Sequence, residues 1–200
     1  MGARAVVDAG LIGDVLGIDD EGDRALLARV FSLQKIPRGG LLFRQGEPIT
    51  KVYVLVSGLY RGYTVSESGE ETTGCIGVGR GLPAVPNADL EAPAQSNLVL
   101  LEDSELLCAD LSELWPLVKD SARLMKAWSD HIAYSWRVQT AHKEALLKYD
   151  NKGRYLWFLK EYPGVIDRVQ HYILASYLGM SPVTFSRTRT KVAAERDAAD

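Results

Sequence analysis

Cysteine and histidine are both scarce in this chain of 200 residues. The 2 cysteines, Cys75 and Cys108, are too few for a disulfide framework, a four-cysteine zinc site or an iron–sulfur cluster. No histidine precedes His131, so the preceding part of the chain offers no imidazole to a metal ion. The sequence also has no nucleophile elbow, phosphate-binding loop or metalloprotease helix. These absences predict a protein without a metal site and without catalytic residues.

Long apolar runs are missing as well. No stretch approaches the roughly 18 apolar residues that a membrane helix needs, and the start, Met1-Gly2-Ala3-Arg4, has no signal-peptide pattern. Apolar residues make up 46% of the chain and charged residues 24%, as in ordinary folded proteins. We expect a globular cytoplasmic protein that does not contact a membrane.

The net charge of −3 conceals an uneven distribution of charge. Residues 1–119 carry 10 Lys and Arg against 17 Asp and Glu, whereas residues 120–200 carry 13 against 9. From Arg168 to Val192 there are four basic residues and no acidic one. A basic end on an acidic chain is a weak indication of a polyanionic partner.

The hydrophobic pattern divides the chain into four parts. Residues 1–18 predict an N-terminal arm or a short helix, and residues 19–119 begin with a helix and continue as short strands separated by turns, as in the alternating run Val52 to Val56. Residues 120–148 contain no proline or glycine and predict one long helix, and residues 149–200 predict several shorter helices. The fold class is therefore α+β, with an N-terminal double-stranded, jelly-roll-like β-roll.

The long helix carries an apolar stripe that is typical of a dimer seam. Two stripes fit equally well and stay open: Trp128-Ile132-Ser135-Gln139-His142-Leu146 and Trp128-His131-Ser135-Val138-His142. Ligation of a metal or heme by His131 and His142, eleven residues apart on nearly the same face, is the less favoured interpretation.

The stretch from His171 to Thr190 has the spacing of a helix-turn-helix. Ala175 is small where two helices cross, Gly179 allows the sharp turn, and Ser181 and Pro182 suit the start of a second helix, expected over Pro182–Val192. The exposed face of that helix is short, polar and basic, which suits a DNA major groove. The candidates for base contacts are Val183, Thr184, Ser186 and Arg187, and the candidates for phosphate or positioning contacts are Ser181, Arg189 and Lys191.

Residues 34–192 resemble the Crp/Fnr family of transcription regulators. The segments that carry the resemblance are Gly40–Glu47, Val54–Gly58, Leu101–Leu107, Arg154–Leu159, Tyr162–Gly164 and the helix-turn-helix. The resemblance implies an effector-sensing roll, a helix that pairs two protomers and a C-terminal DNA reader, in which Ser186 and Arg187 match the family pattern. No strand pattern follows Val192, so the wing of many relatives is expected to be missing.

The sequence departs from the relatives that bind cyclic AMP. Their Gly-Glu pair is replaced in Gly77–Pro83, which has no glutamate, and Gln95-Ser96 stands at the position of their arginine and small residue. Binding of cyclic AMP in the usual mode is therefore not expected, and the effector is unknown. The candidate effector-pocket residues are Gly79, Arg80, Gln95, Ser96 and Ser135.

Together these observations predict a homodimeric, DNA-binding transcription regulator. It would read an inverted-repeat operator in double-stranded DNA, respond to a small molecule in the β-roll and act on RNA polymerase. The alternatives are a ligand-binding or scaffold protein that does not touch DNA and, less favoured, a β-roll enzyme.

Overall fold

The computed structural model describes residues 7–197, and side chains as far as Glu195. Eight strands form two four-stranded antiparallel sheets in the orders β1-β8-β3-β6 and β2-β7-β4-β5. The strands are β1 (Ser32–Ile36), β2 (Leu41–Phe43), β3 (Lys51–Ser57), β4 (Leu59–Val65), β5 (Glu71–Val78), β6 (Pro83–Ala84), β7 (Asn97–Leu100) and β8 (Ser104–Asp110). This arrangement confirms the predicted β-roll.

Seven α-helices flank the roll and follow it. They are α1 (Ala9–Leu16), α2 (Glu21–Val30), α3 (Leu111–Asp120), α4 (Ala122–Lys148), α5 (Asn151–Glu161), α6 (His171–Tyr177) and α7 (Pro182–Asp197). Ser121 separates α3 from α4, and its side chain accepts a hydrogen bond from the backbone N–H of Leu124. The predicted long helix is therefore confirmed, and it begins at Ala122 because Ser121 caps it. None of the described helices is long and apolar enough to cross a membrane.

The alternating pattern of the strands explains the core between the two sheets. Every second residue of a strand points to the same face, and the buried apolar side chains of β3 and β8, such as Val54 and Leu107, meet those of Leu98 and Leu100 on β7. The N-terminal segment contributes to this core, since Ile12 and Val15 of α1 are buried in it. From Val7 onward the expected arm is thus a packed part of the roll, and residues 1–6 lie outside the described residues.

A second core joins the roll to the C-terminal helices. It contains Leu59 and Ile76 from the roll together with Phe158 of α5, Leu174 of α6 and Phe185 of α7. The side-chain hydroxyl of Ser176 on α6 also accepts a hydrogen bond from the backbone N–H of Thr73 on β5, at 2.9 Å. The helical domain therefore packs directly on the sheet that contains β4 and β5.

The last helix is longer than the sequence predicts. The sequence indicated Pro182–Val192, whereas α7 continues to Asp197. Residues 193–197 are therefore helical, and in the described part of the chain no strand follows α7.

Candidate DNA-binding surface and effector pocket

The helix-turn-helix has the geometry expected from its sequence. Ala175 and Phe185 are completely buried between α6 and α7. Gly179 adopts a φ of +63°, a conformation that favours glycine, and this residue lets the chain reverse after α6. Ser181 accepts a hydrogen bond from the backbone N–H of Thr184 and caps α7.

The exposed side of α7 presents most of the predicted DNA contacts. Val183 is 60% exposed, and Ser186 and Arg187 lie on the same side of the helix at the i+3 and i+4 positions. Among the described residues Arg187 forms no ion pair with a carboxylate, so its guanidinium remains available to a base or a phosphate. These three residues form the reading face.

Two predicted contact residues are engaged within the protein. The hydroxyl of Thr184 lies 2.9 Å from that of Ser181, and the residue is half-buried, because both belong to the cap of α7. Arg189 is exposed, and its Nη1 lies 3.1 Å from Nε2 of His171 on α6. Thr184 is thus placed as part of the helix cap, beside the reading face, whereas Arg189 and the exposed Lys191 keep flanking positions suited to phosphate contacts.

Arg154 on α5 connects the long helix to the turn of the helix-turn-helix. Its guanidinium donates hydrogen bonds to the carbonyls of Leu146 (2.8 Å) and Tyr149 (3.0 Å) at the end of α4, and to those of Leu178 (3.2 Å) and Gly179 (3.4 Å) in the turn. A cation at two helix C-termini satisfies carbonyls that have no partner inside the helices. The orientation of the helix-turn-helix relative to α4 therefore depends in part on one side chain.

His142 provides a second connection between α4 and the helix-turn-helix. Its Nε2 lies 2.6 Å from the carbonyl oxygen of Tyr177, and its ring stacks on the Tyr177 ring with a centroid distance of 3.8 Å. Burial lowers the pKa of His142. His131 lies elsewhere on α4, with its Nε2 3.3 Å from the Ser135 hydroxyl, so the two imidazoles serve separate contacts. The described residues contain no group of three or more His, Cys, Asp or Glu that could hold a metal ion.

A pocket of about 640 Å³ lies between the β4–β5 sheet, the loop after β6 and helices α4 and α5. Three of the five predicted effector residues line it, namely Gln95, Ser96 and Ser135. Its volume lies in the range typical of small-molecule sites. The structure therefore brings the loop before β7 and the middle of α4 together at one cavity.

The other two predicted effector residues, Gly79 and Arg80, do not line this pocket. They belong to the turn after β5, where the backbone N–H of Gly81 donates to the carbonyl of Leu55 on β3 at 2.8 Å. Arg80 is exposed, and its Nη1 lies 3.5 Å from the carbonyl oxygen of Val56. The turn is held against β3, which directs both residues away from the cavity.

Both predicted seams of α4 face the interior of the chain. The Trp128 ring packs edge-on against Trp115 of α3 at 5.6 Å, His142 stacks on Tyr177, and Ser135 and Val138 line the pocket. A neighbouring side of α4 is exposed to solvent, with Trp136 at 74% and Leu147 at 75%, and Trp136 also borders the pocket. The stripe that the sequence indicated is apolar because it packs against the same protomer.

Comparisons with known proteins agree with this architecture. A family model described as the cyclic nucleotide-binding domain matches residues 33–121. No curated protein matches the chain by sequence.

Solved structures extend the likeness to the whole architecture. FixK2 from Bradyrhizobium japonicum is 17% identical with a TM-score of 0.73, over 83% of this chain and 86% of that chain. The c-di-GMP-responsive global regulator CLP of Xanthomonas campestris is 19% identical with a TM-score of 0.72, over 88% of this chain and 93% of that chain. A protein from Eubacterium rectale described as a transcriptional regulator of the Crp/Fnr family is 16% identical with a TM-score of 0.67, over 88% and 85%. The chain has the Crp/Fnr fold.

CLP is described as a global regulator and the protein from Eubacterium rectale as a transcriptional regulator. Sequence reasoning missed the pocket residues Trp157 and Glu161 on α5 and Tyr162 directly after it. They meet the roll through contacts far apart in sequence, and no local pattern marks them as pocket residues. The segments Arg154–Leu159 and Tyr162–Gly164 could have drawn attention to this region.

Proposed function

We propose that this protein is a homodimeric transcription regulator that binds double-stranded DNA through α7. The observation that carries the proposal is the reading face of Val183, Ser186 and Arg187, which is exposed on a helix held by a complete helix-turn-helix. Arginine can bridge O6 and N7 of guanine, and a valine methyl group can meet the methyl group of thymine. A helix of this shape and charge fits the major groove of an operator.

The outer side of α4 supports pairing with a second copy of the chain. Ser129, Ala133, Trp136, Thr140 and Leu147 follow one another at spacings of four, three, four and seven residues, which is the repeat of a coiled coil. The helix has 27 residues and is therefore about 40 Å long, enough for several turns of contact. Small residues at 129 and 133 let two backbones approach, and this outer stripe replaces both seams suggested by the sequence.

A symmetric pair would place two copies of α7 in successive major grooves about 34 Å apart, so the operator would be an inverted repeat. The pocket beside α4 would hold a small-molecule effector, and RNA polymerase in the cytoplasm would be the partner that reads out DNA occupancy. Sedimentation tests the pairing: Leu147→Arg and Ala133→Arg should shift the protein from dimer to monomer, whereas Lys148→Ala should not.

Substitutions on α7 test the DNA contact. Arg187→Ala should lower affinity for the operator by about 1–3 kcal/mol and flatten the preference at one symmetric base position. Lys191→Ala should weaken binding to operator and scrambled duplex alike and reduce the salt dependence by about one unit per lost contact. Arg29→Ala, a change of the same type at an exposed position on α2, should leave both titrations unchanged.

The operator is first selected from random duplexes at low salt with the native protein. Failure to retain any duplex under these conditions would favour the alternative of a ligand-binding protein that does not touch DNA. Equal losses for operator and scrambled duplex in Arg187→Ala would show that Arg187 binds a phosphate and that the reading face is assigned wrongly.

A further inference from the structure

The pocket beside α4 is rich in aromatic side chains. Three glycines of strands β4 and β5, Gly62, Gly74 and Gly77, belong to its lining, and the side chains of Cys75 and Tyr60 lie against Gly62 and Gly77. Its aromatic lining consists of Tyr60, Tyr63, Tyr134, Trp136, Trp157 and Tyr162. Aromatic walls favour a planar ring system over a flexible polar chain.

Positive charge is lacking in this pocket. No lysine, arginine or histidine belongs to the lining in the part of the chain that the structure describes, and its one charged side chain is the carboxylate of Glu161. The neighbouring Arg61 is only 4% exposed and is fully engaged, with Nη1 2.7 Å from Glu71, Nε 2.9 Å from Thr73 and its guanidinium 4.4 Å from the Tyr63 ring centre. A phosphate or carboxylate would therefore enter a cavity with no cation to balance it.

The loop after β6 supplies no helix N-terminus in place of the missing cation. No helix begins within residues 85–96, so no helix N-terminus points at the cavity from this loop. Three amides of the loop already have partners: Glu91 donates to Asp89, Ala94 to the carbonyl of Glu47 and Gln95 to the side chain of Asn87. The phenol groups of Tyr60 and Tyr162 are likewise bonded, to the carbonyl of Pro83 and the hydroxyl of Tyr177.

We propose that the effector of this protein is an uncharged, planar molecule of two or three rings, and that the pocket rejects cyclic nucleotides and other anions. Stacking on the tyrosine and tryptophan rings would supply the binding free energy. The unpaired hydroxyls and amides of Ser96, Gln95 and Gln139 at the wall would orient the ring substituents. The chemistry of the ligand follows from the pocket itself, and only its role as an effector rests on the proposed regulatory function.

Matched pairs of compounds test the charge rule without any DNA, so the result is independent of whether the protein binds an operator. The first pair is 7-methoxycoumarin and 7-methoxycoumarin-4-acetate, which share one ring system and differ in charge. The second pair is adenosine and cyclic AMP. Calorimetric titration of the full chain should show 7-methoxycoumarin binding at least tenfold more tightly than its acetate, and no heat of binding for millimolar cyclic AMP.

Two variants locate the binding. Ser135→Trp places a large side chain in the pocket and should lower coumarin affinity at least tenfold, whereas Ser112→Trp, the same change at an exposed position of α3, should not. Ile132→Trp serves as a second pocket variant if Ser135→Trp does not fold. Equal or tighter binding of the acetate, binding of cyclic AMP, or no binding of the neutral coumarin would each overturn the proposal.

Discussion

Replacing Arg154 with alanine should show how much its hydrogen bonds between the long helix and the helix-turn-helix contribute to stability. The guanidinium donates to carbonyls at the ends of α4 and α6 at distances from 2.8 to 3.4 Å. Hydrogen bonds of a charged group contribute about 1.5–3 kcal/mol each when the remaining partner stays dry. Arg154 is only half-buried, so water can reach the freed carbonyls, and a contribution of about 1 kcal/mol per helix-end contact is appropriate.

Arg154→Ala removes three such contacts, with Leu146, with Tyr149 and with the turn at Leu178–Gly179. The free energy of unfolding should therefore fall by about 3 kcal/mol. For a protein of this length, each kcal/mol lowers the melting temperature by about 2–4 °C, which predicts a decrease of about 6–12 °C. Urea and thermal unfolding followed by circular dichroism measure both quantities.

Two controls accompany this variant. Arg154→Lys keeps the charge, but its ammonium group cannot reach both helix ends in one fork, so about half of the loss should remain. Arg29→Ala removes an exposed arginine and should change stability by less than about 0.5 kcal/mol. If Arg154→Ala melts within about 2 °C of the native protein, the carbonyls are well solvated without the guanidinium and the reader is held by packing alone.

Three further changes follow from local geometry. Gly179→Ala should cost about 1–2 kcal/mol in thermal unfolding, because the φ of +63° is unfavourable for alanine and the added Cβ would lie 3.2 Å from Nη1 of Arg154; an unchanged melting temperature would contradict the turn geometry. Ser176→Ala should cost about 1–2 kcal/mol, because the buried N–H of Thr73 loses its partner, and Ser112→Ala is the exposed control. Burial lowers the pKa of His131 to about 4, so the unfolded state binds the extra proton below its own pKa of about 6.5 and stability should fall as the pH drops from 6.5 to 4. His131→Gln should flatten that decline in urea titrations at pH 7 and pH 5, and an unaltered decline would place its cause at other groups.

Periodicity and turn residues were sufficient to predict the roll, the long helix and the helix-turn-helix. The alternation of Val52, Val54 and Val56 and the Ser181-Pro182 start of α7 are local signals, and each describes an element that can be recognised within about ten residues. The positive φ of Gly179 likewise follows from the need to reverse the chain between two helices.

The direction in which the long helix faces was not predictable from its pattern. An apolar stripe shows that a face is covered, but it does not show whether the same chain or a partner covers it. The stripe through Trp128 and His142 packs on Trp115 and Tyr177, residues of α3 and α6 that are distant from one another in sequence. The placement of Arg80 outside the pocket was not predictable for a related reason, since the course of the turn after β5 depends on hydrogen bonds to β3.

The wall of the pocket also contacts the helix-turn-helix. Tyr162 lines the cavity, and its hydroxyl lies 2.9 Å from that of Tyr177, the last residue of α6. Trp157 lines the cavity as well, and its ring stacks near His142 of α4, which bonds to the carbonyl of Tyr177. A ligand can shift the position of the reader only if it binds two arrangements with different affinity. Because the roll, α4 and α5 each supply part of the cavity, any displacement of α5 changes the contacts that the ligand can make, and that dependence provides the required difference in affinity.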